Sequence, residues 1–174
     1  MKRSSDIRVG GVIGVAMDVQ IRVAQESDAA GACEVLRRSI TECCTKDHGN
    51  DQTLLSPWLE NKTPENLRQW IGAPGSYGLV AEIQGEIVGV AMMLDSGEVT
   101  LCYLIPEVLH KGVGKALLGE LESKGRALGL RELRLNSTKT AFDFYSRNGF
   151  KSSGAQSMWH GIGCYPMAKV LGSH

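Results

Sequence analysis

Proline is scarce in this sequence, with 5 among 174 residues, and the 21 glycines are dispersed rather than clustered. The glycines sit where chain reversals are needed, as at Gln84-Gly85-Glu86 and Asp95-Ser96-Gly97. That pattern argues for tight turns between short elements and against a low-complexity linker. A charge excess is also missing: 19 Lys and Arg balance 19 Asp and Glu, for a formal net charge of +0. Neither nucleic acid nor an acidic membrane surface is announced by such a balance, so no partner of either kind is expected. Any charge on a substrate has to be recognised locally. No apolar run is long enough to span a bilayer, and no internal repeat is visible. No C-x-x-C pair occurs among Cys33, Cys43, Cys44, Cys102 and Cys164. Their count is odd, and the adjacent Cys43 and Cys44 suit neither a metal site nor an ordinary disulfide. The expectation is five reduced thiols, no metal, and a cytoplasmic location.

The N-terminus carries a faint likeness to a signal peptide, with Lys2 and Arg3 before a weakly apolar stretch at 9–17. Gly10, Gly11 and Gly14 interrupt that stretch and Arg8 borders it, which argues against the likeness. Residues 1–17 therefore read as an extension, an added strand being one form it can take. Met17 is an alternative start. Residues 18–174 read as a single domain, a length that fits one core.

What is present is a series of short periodic elements. Val19, Ile21 and Val23 alternate with Gln20 and Arg22, a strand signature. Ser27 and Asp28 offer N-cap oxygens before a helix bearing Ala32, Val35, Leu36 and Ile40. Residues 45–63 look polar and irregular. Thr63-Pro64-Glu65 reads as a helix start, with Leu67, Trp70 and Ile71 on the apolar face. Residues 77–83 and 87–94 form a hairpin, and 99–105, ended by Pro106, adds a third antiparallel strand. Val113, Leu117, Leu121 and Leu128 then form a helical stripe, with Lys115, Glu120, Glu122 and Arg126 off it. Gly129 caps that helix and 130–135 returns to strand, giving a β-α-β unit whose two strands should run parallel. Ala141, Phe144, Tyr145 and Asn148 mark one more helix, and two strands at about 150–158 and 162–171 close the chain.

The chemistry concentrates at His110-Lys111-Gly112-Val113-Gly114-Lys115, where glycines open a helix directly after a strand. Backbone amides at a helix start lack intrahelical partners, and the dipole there favours an anion. A nucleotide P-loop is a poor match, because Leu109 replaces its first Gly and Ala116 its Ser or Thr. A dinucleotide fingerprint fails at its third Gly, where Leu117 stands. A plain glycine-containing helix start is the remaining alternative.

The run Lys111-Gly112-Val113-Gly114-Lys115-Ala116-Leu117-Leu118, followed by a strand and by Ala141-x-x-Phe144-Tyr145-x-x-x-Gly149-Phe150, resembles the Gcn5-related N-acetyltransferase superfamily. Ile21-Arg22-x-Ala24 and Met167-x-Lys169-x-Leu171 extend the resemblance over most of 18–171. It implies an α/β fold, the acyl-CoA N-acyltransferase fold. In that fold a splayed mixed sheet of about six to seven strands is flanked by helices and holds coenzyme A in the splay. The cosubstrate it implies is acetyl-CoA. Amides from Leu109 through His110, Lys111, Gly112, Val113 and Gly114 to Lys115 would grip the pyrophosphate. The strand edge at Leu104 and Ile105 would hold the pantetheine arm and polarise the thioester carbonyl. Phe144 belongs to the cofactor-binding set. Leu109 stands where the family has Gln or Arg, and His110 where Gly is common. Lys111 or Lys115 would compensate through charge or remain solvated. Thr138 occupies a family Asn position, with Asn136 close by; its hydroxyl either bonds the pantetheine or caps the helix.

The resemblance assigns Tyr145 to the general acid that serves the departing sulfur, and helical spacing puts it on one face with small Ala141. It places the acceptor pocket among the first helices, their loop and the last strands, where Asp47, His48, Trp58 and Glu98 are candidates. Each also has a plainer reading, as an exposed acid, a loop histidine or core packing. Cys102 and Cys164 have no positioned base, which argues against a covalent acyl-enzyme. The expected activity is N-acetyl transfer from acetyl-CoA to a primary amine of a small molecule or peptide, by direct attack in a ternary complex. The alternative is a non-catalytic acyl-CoA-binding sensor. A homodimer is compatible with both.

Overall fold

The computed structural model describes residues 5–10 and 16–172. The alternation around Val19 and Ile21 becomes β2 (Ala16–Val23), with both of those side chains buried and Gln20 exposed between them. Residues of the N-terminal extension form β1 (Ser5–Gly10), paired antiparallel with β2 from Ser5 opposite Ile21 to Gly10 opposite Ala16. The remainder of the reading of 1–17, at 1–4 and 11–15, lies outside the described residues. Three more strands, β3 (Ser76–Ile83), β4 (Glu86–Leu94) and β5 (Val99–Leu104), complete a five-stranded antiparallel sheet in sequence order. The β3–β4 turn runs through Gln84 and Gly85 at φ of 52° and 79°, the pair of positive angles that a tight hairpin needs.

Period two sends neighbouring residues of this sheet to opposite faces. Leu79, Ala81, Ala91 and Met93 pack with α5 (Val113–Ala127), through Val113, Leu117 and Leu121. Val80, Val90, Met92 and Leu101 pack the other way, against Ala32 and Leu36 of α1 (Ala29–Arg38) and Leu67 further along the chain. Two details of the sequence reading change here. Asp28 does not cap α1; its carboxylate accepts the Gln25 N–H at 2.7 Å and pairs with Arg22. Leu128 leaves the α5 stripe and is 44% exposed, while Glu122 is buried and pairs with Lys169. Gly129, at φ 76°, closes α5: its N–H donates to Arg126 O and the Leu130 N–H to Gly125 O.

After α1 comes a π-helical turn, Ser39–Cys43, then α2 (Thr45–His48), α3 (Gln52–Glu60) and α4 (Pro64–Gly72). The segment 45–63 is thus largely helical, not irregular. Pro57 lies inside α3 and disguises it in the sequence. Helix α3 holds because Asp51 accepts the Thr53 N–H at 2.9 Å, and because Leu55 and Trp58 pack against Ile40, Cys44 and Ile162. Thr63 caps α4 as its sequence indicates, accepting the Asn66 N–H at 3.1 Å.

The C-terminal half forms a second sheet. It contains β6 (Glu132–Ser137), then α6 (Phe142–Arg147), then β7 (Lys151–Ser152), β8 (Ser157–Trp159) and β9 (Ile162–Val170), with order β6–β9–β7 and β8 against β9. The stretch expected as one strand at 150–158 is two short ones. Together with β1 this brings the described strands to nine, against the six or seven that the resemblance implies. Strands β5 and β6 are parallel, as the β-α-β reading requires, but among the described residues they meet at a single bridge, Glu98 with Arg134. Gly97 permits that contact: a Cβ there would lie 2.8 Å from Glu132 O. Beyond the bridge no further pairing of β5 with β6 is present among the described residues, and a cleft lies between them.

Candidate active site

The gap between β5 and β6 is a cleft of about 710 Å3. One wall is the free edge of β5. The Ile105 N–H donates across to Val88 O at 3.0 Å, so by period two the backbone groups of Leu104 and Cys102 face the cleft instead. This corrects the expectation for Ile105, whose amide is engaged within the first sheet and which does not line the cleft. The facing wall is Leu135, Asn136, Thr138 and Thr140, continued by Phe144, Tyr145 and Arg147 of α6.

The floor is the start of α5. Pro106–Val108 makes a 3-10 turn, and the Leu109 N–H closes it onto Pro106 O at 3.2 Å, so the Leu109 amide is turned away from any ligand. Gly112 is the N-cap of α5 at φ 84°. The Ala116 N–H donates to Gly112 O at 3.0 Å, which leaves the Val113, Gly114 and Lys115 amides ahead of the first helical acceptor. His110 sits at φ 60°, in the left-handed region, which accounts for Gly being common at that position in the family it resembles. Gly114 has a different task from the one its sequence motif suggests. A Cβ on it would stand 2.9 Å from Phe144 Cζ, so the missing side chain makes room for the α6 aromatic rather than for a phosphate. Leu109, His110, Gly112, Gly114 and Lys115 line the cleft, while Lys111 and Val113 do not, Val113 being fully buried. The Thr138 hydroxyl accepts the Ala141 N–H at 3.1 Å and so closes the turn ahead of α6, whose N-cap is Ala141.

Tyr145 is buried on α6, its ring packed between Phe144 and Phe150. Tyr145 and Cys102 of β5 both line the cleft. Burial pushes the phenol well above its ordinary value, so it is a protonated donor at neutral pH. Burial also raises the Cys102 thiol to about 11 and the Cys44 thiol to about 12, which keeps both neutral and poorly nucleophilic. That agrees with the argument against a covalent acyl-enzyme. Tyr103, next on β5, is raised by burial as well and lies against Trp58.

The four acceptor-side candidates are not brought together. Asp47 and His48 form no pair. The Asp47 carboxylate accepts from the Lys139 and Thr140 amides, and the His48 ring bonds Ile40 O and the Asn50 N–H. Consecutive helical residues point about 100° apart, so adjacency in sequence separates them. His48 is 1% exposed, with both ring nitrogens occupied, and this removes it as a base. Trp58 is core, edge-on to His48 at 6.2 Å between centroids. Glu98 is exposed at the pinned end of β5, away from the open cleft. The residues that do line this side are Ser39, Cys43, Cys44 and Lys46, with Cys102 and Tyr103. Cys102 was readable as the period-two partner of Leu104. Ser39, Cys43, Cys44 and Lys46 are placed by the π-helical turn, which has no sequence signal.

A family model described as an acetyltransferase (GNAT) domain matches residues 44–171, about three-quarters of the chain. The chain belongs to the GNAT acetyltransferase family. A spermidine N(1)-acetyltransferase of Thermoplasma acidophilum is 27% identical over 138 residues, which is 78% of this chain and 82% of that protein. An amino-acid acetyltransferase of Azotobacter vinelandii is 35% identical over 129 residues, 68% of this chain but only 29% of that longer relative. Among solved structures, a PaiA N-acetyltransferase from Thermoplasma acidophilum in complex with coenzyme A superposes with a TM-score of 0.73 at 25% identity, over 88% of this chain and 99% of its own. A GCN5-related N-acetyltransferase from Rhodopseudomonas palustris has the same fold, with a TM-score of 0.79 at 21% identity over 93% of this GNAT chain and 100% of its own.

Proposed function

We propose that this GNAT protein transfers the acetyl group of acetyl-CoA to a primary amine of a small molecule or peptide, by direct attack within a ternary complex. The observation that carries the reading is the cleft itself: uncommitted amides at the start of α5 at one end, and the Tyr145 hydroxyl on its wall. The amides of Val113, Gly114 and Lys115 suit a pyrophosphate, reinforced by the helix dipole and by the Lys115 ammonium at the rim. The free edge of β5 suits the pantetheine amides, which would run as a short added strand against Cys102 and Leu104. A donor on that edge also suits the thioester carbonyl, where negative charge grows as the amine attacks.

In the reaction the amine nitrogen forms a bond to the thioester carbon and loses a proton. The carbon–sulfur bond then breaks, and the sulfur leaves as thiolate and regains a proton. Tyr145, a protonated phenol on the cleft wall, hydrogen-bonds the departing sulfur. The relatives named for spermidine and for amino acids set the range of acceptors to try. A cytoplasmic setting is proposed from the five free cysteines. The test is an amine panel of polyamines, amino acids, aminoglycosides and peptide N-termini, read by thiol release from acetyl-CoA. Turnover with one class supports the reading and names the acceptor. Coenzyme A binding with no turnover on any amine would favour the non-catalytic sensor.

A further inference from the structure

Asp47 belongs to α2, on the side of the cleft built by the N-terminal helices, yet its carboxylate is bound to the opposite wall. The Lys139 N–H donates to Oδ1 at 2.8 Å and the Thr140 N–H to Oδ2 at 3.2 Å; the Thr140 hydroxyl donates to Oδ2 as well. Each partner is more than 90 residues away in sequence. Lys46, beside Asp47, and Thr140 both line the cleft, so this bond set passes over its rim. The position matters because, among the described residues, the two sheets pair directly at a single bridge, Glu98 with Arg134, at the other end of β5 and β6.

We propose that Asp47 is a positioning residue, a strap across the open end of the cleft that presets the 138–141 loop and α6 for the thioester. This rests on the reading of the cleft as an acyl-CoA site. Both ends of the strap are anchored. On one side His48 fixes the four-residue α2 through Ile40 O at 2.8 Å and the Asn50 N–H at 3.0 Å. On the other, Thr138 holds the Ala141 N–H, and α6 follows at once, carrying Phe144 and Tyr145. Three donors of residues 139 and 140 converge on the one Asp47 carboxylate. Charge-assisted bonds of this type are stronger than neutral ones and hold geometry before a ligand arrives. Preorganisation lowers the ordering cost of binding and keeps the Tyr145 donor where the leaving sulfur will be.

The experiment compares wild type with Asp47→Asn and Thr140→Val in coenzyme A calorimetry, amide hydrogen exchange without ligand, and steady-state turnover. Asp47→Asn keeps the shape but sets an amide NH2 among backbone donors. It should speed exchange at Lys139 and Thr140, weaken coenzyme A binding about tenfold, and lower turnover at saturating acetyl-CoA. Thr140→Val removes one donor and should move all three in the same direction by less. Its effect should shrink when it is combined with Asp47→Asn, as members of one network do. Faster exchange with unchanged binding and turnover would overturn the positioning role and leave only a structural tie. If Asp47→Asn does not fold, Thr140→Val decides by the same criteria. A wild-type protein that binds no coenzyme A overturns the proposed function itself, whereas normal wild-type binding with indifferent variants overturns only the strap.

Discussion

Tyr145 is pulled two ways by its surroundings. Burial among Phe144, Phe150 and the first sheet raises its pKa, which makes it a weaker acid but a dependable donor. A thiolate leaving group is less basic than this phenolate, so full proton transfer from Tyr145 would be uphill; a strong hydrogen bond to the developing charge is the larger contribution. The ammonium formed on attack supplies a proton for the overall balance. Tyr145→Phe keeps the ring packing and removes only the donor. Turnover should fall at least about tenfold while acetyl-CoA affinity changes little. Matched losses in affinity and thermal stability would instead mean that the residue serves packing. Leu109 offers a second test at this scale. It lines the cleft where the family carries a polar or cationic side chain, and its own amide is tied to Pro106. Leu109→Arg should tighten coenzyme A binding, and added salt should erase part of the gain, since the new attraction is electrostatic. Weaker binding would show that Leu109 is needed as an apolar contact.

Helix α5 shows how one element takes different requirements at each glycine. Gly112 needs φ 84°, Gly114 needs space for Phe144, and Gly119 meets nothing within 4 Å. Gly114→Ala must push back the Phe144 ring, and overpacking of this kind costs about 1–3 kcal/mol. It should also weaken coenzyme A binding, because α6 moves with the ring. Gly119→Ala lies in the same helix with open space around it. It should stabilise by about 0.5–1 kcal/mol and leave binding unchanged. Chemical denaturation of the pair checks both, and equal effects would sink the assignment of Gly114 to packing. Strands β2 and β6 and helix α5 were legible in the sequence because one face of each is buried, and burial writes a period into the residues; β7 and β8, exposed throughout, carry no such period and read as one strand. Helix α3 was not, because Pro57 hides it, and the polar helices around it derive their stability from tertiary contacts. The glycine turn at the start of α5 was legible as a motif. The acceptor side was not, because Asp47 and His48 look like a pair in sequence and are turned to opposite partners by one step of helix.

At the scale of the molecule, the cleft concentrates acidic protons in a low-dielectric interior. Cys44 is raised from 9.0 to about 12 and Cys102 from 9.0 to about 11, in both cases chiefly by burial. Tyr103 and Tyr145 are raised for the same reason, as are Cys33, Cys43 and Cys164. In the unfolded chain these thiols ionise near pH 9 and the phenols near pH 10. Above those values the unfolded state releases protons that the native state keeps. The native state then binds more protons, so stability falls as pH rises. The stabilisation from burying neutral thiols is complete below about pH 9. It declines as the unfolded thiols ionise and continues to decline up to about pH 11–12, where the folded Cys102 and Cys44 follow. Thermal unfolding in reducing buffer from pH 7 to 11 should therefore show a flat midpoint up to about pH 9 and a progressive drop beyond it, steeper once the phenols join. Cys44→Ala tests the cause. It removes one shifted thiol from a 6% exposed site, lowering the midpoint at pH 7 through lost packing but flattening the alkaline limb. An alkaline limb of unchanged slope in Cys44→Ala would assign the loss to surface lysines and tyrosines rather than to the buried groups of the cleft.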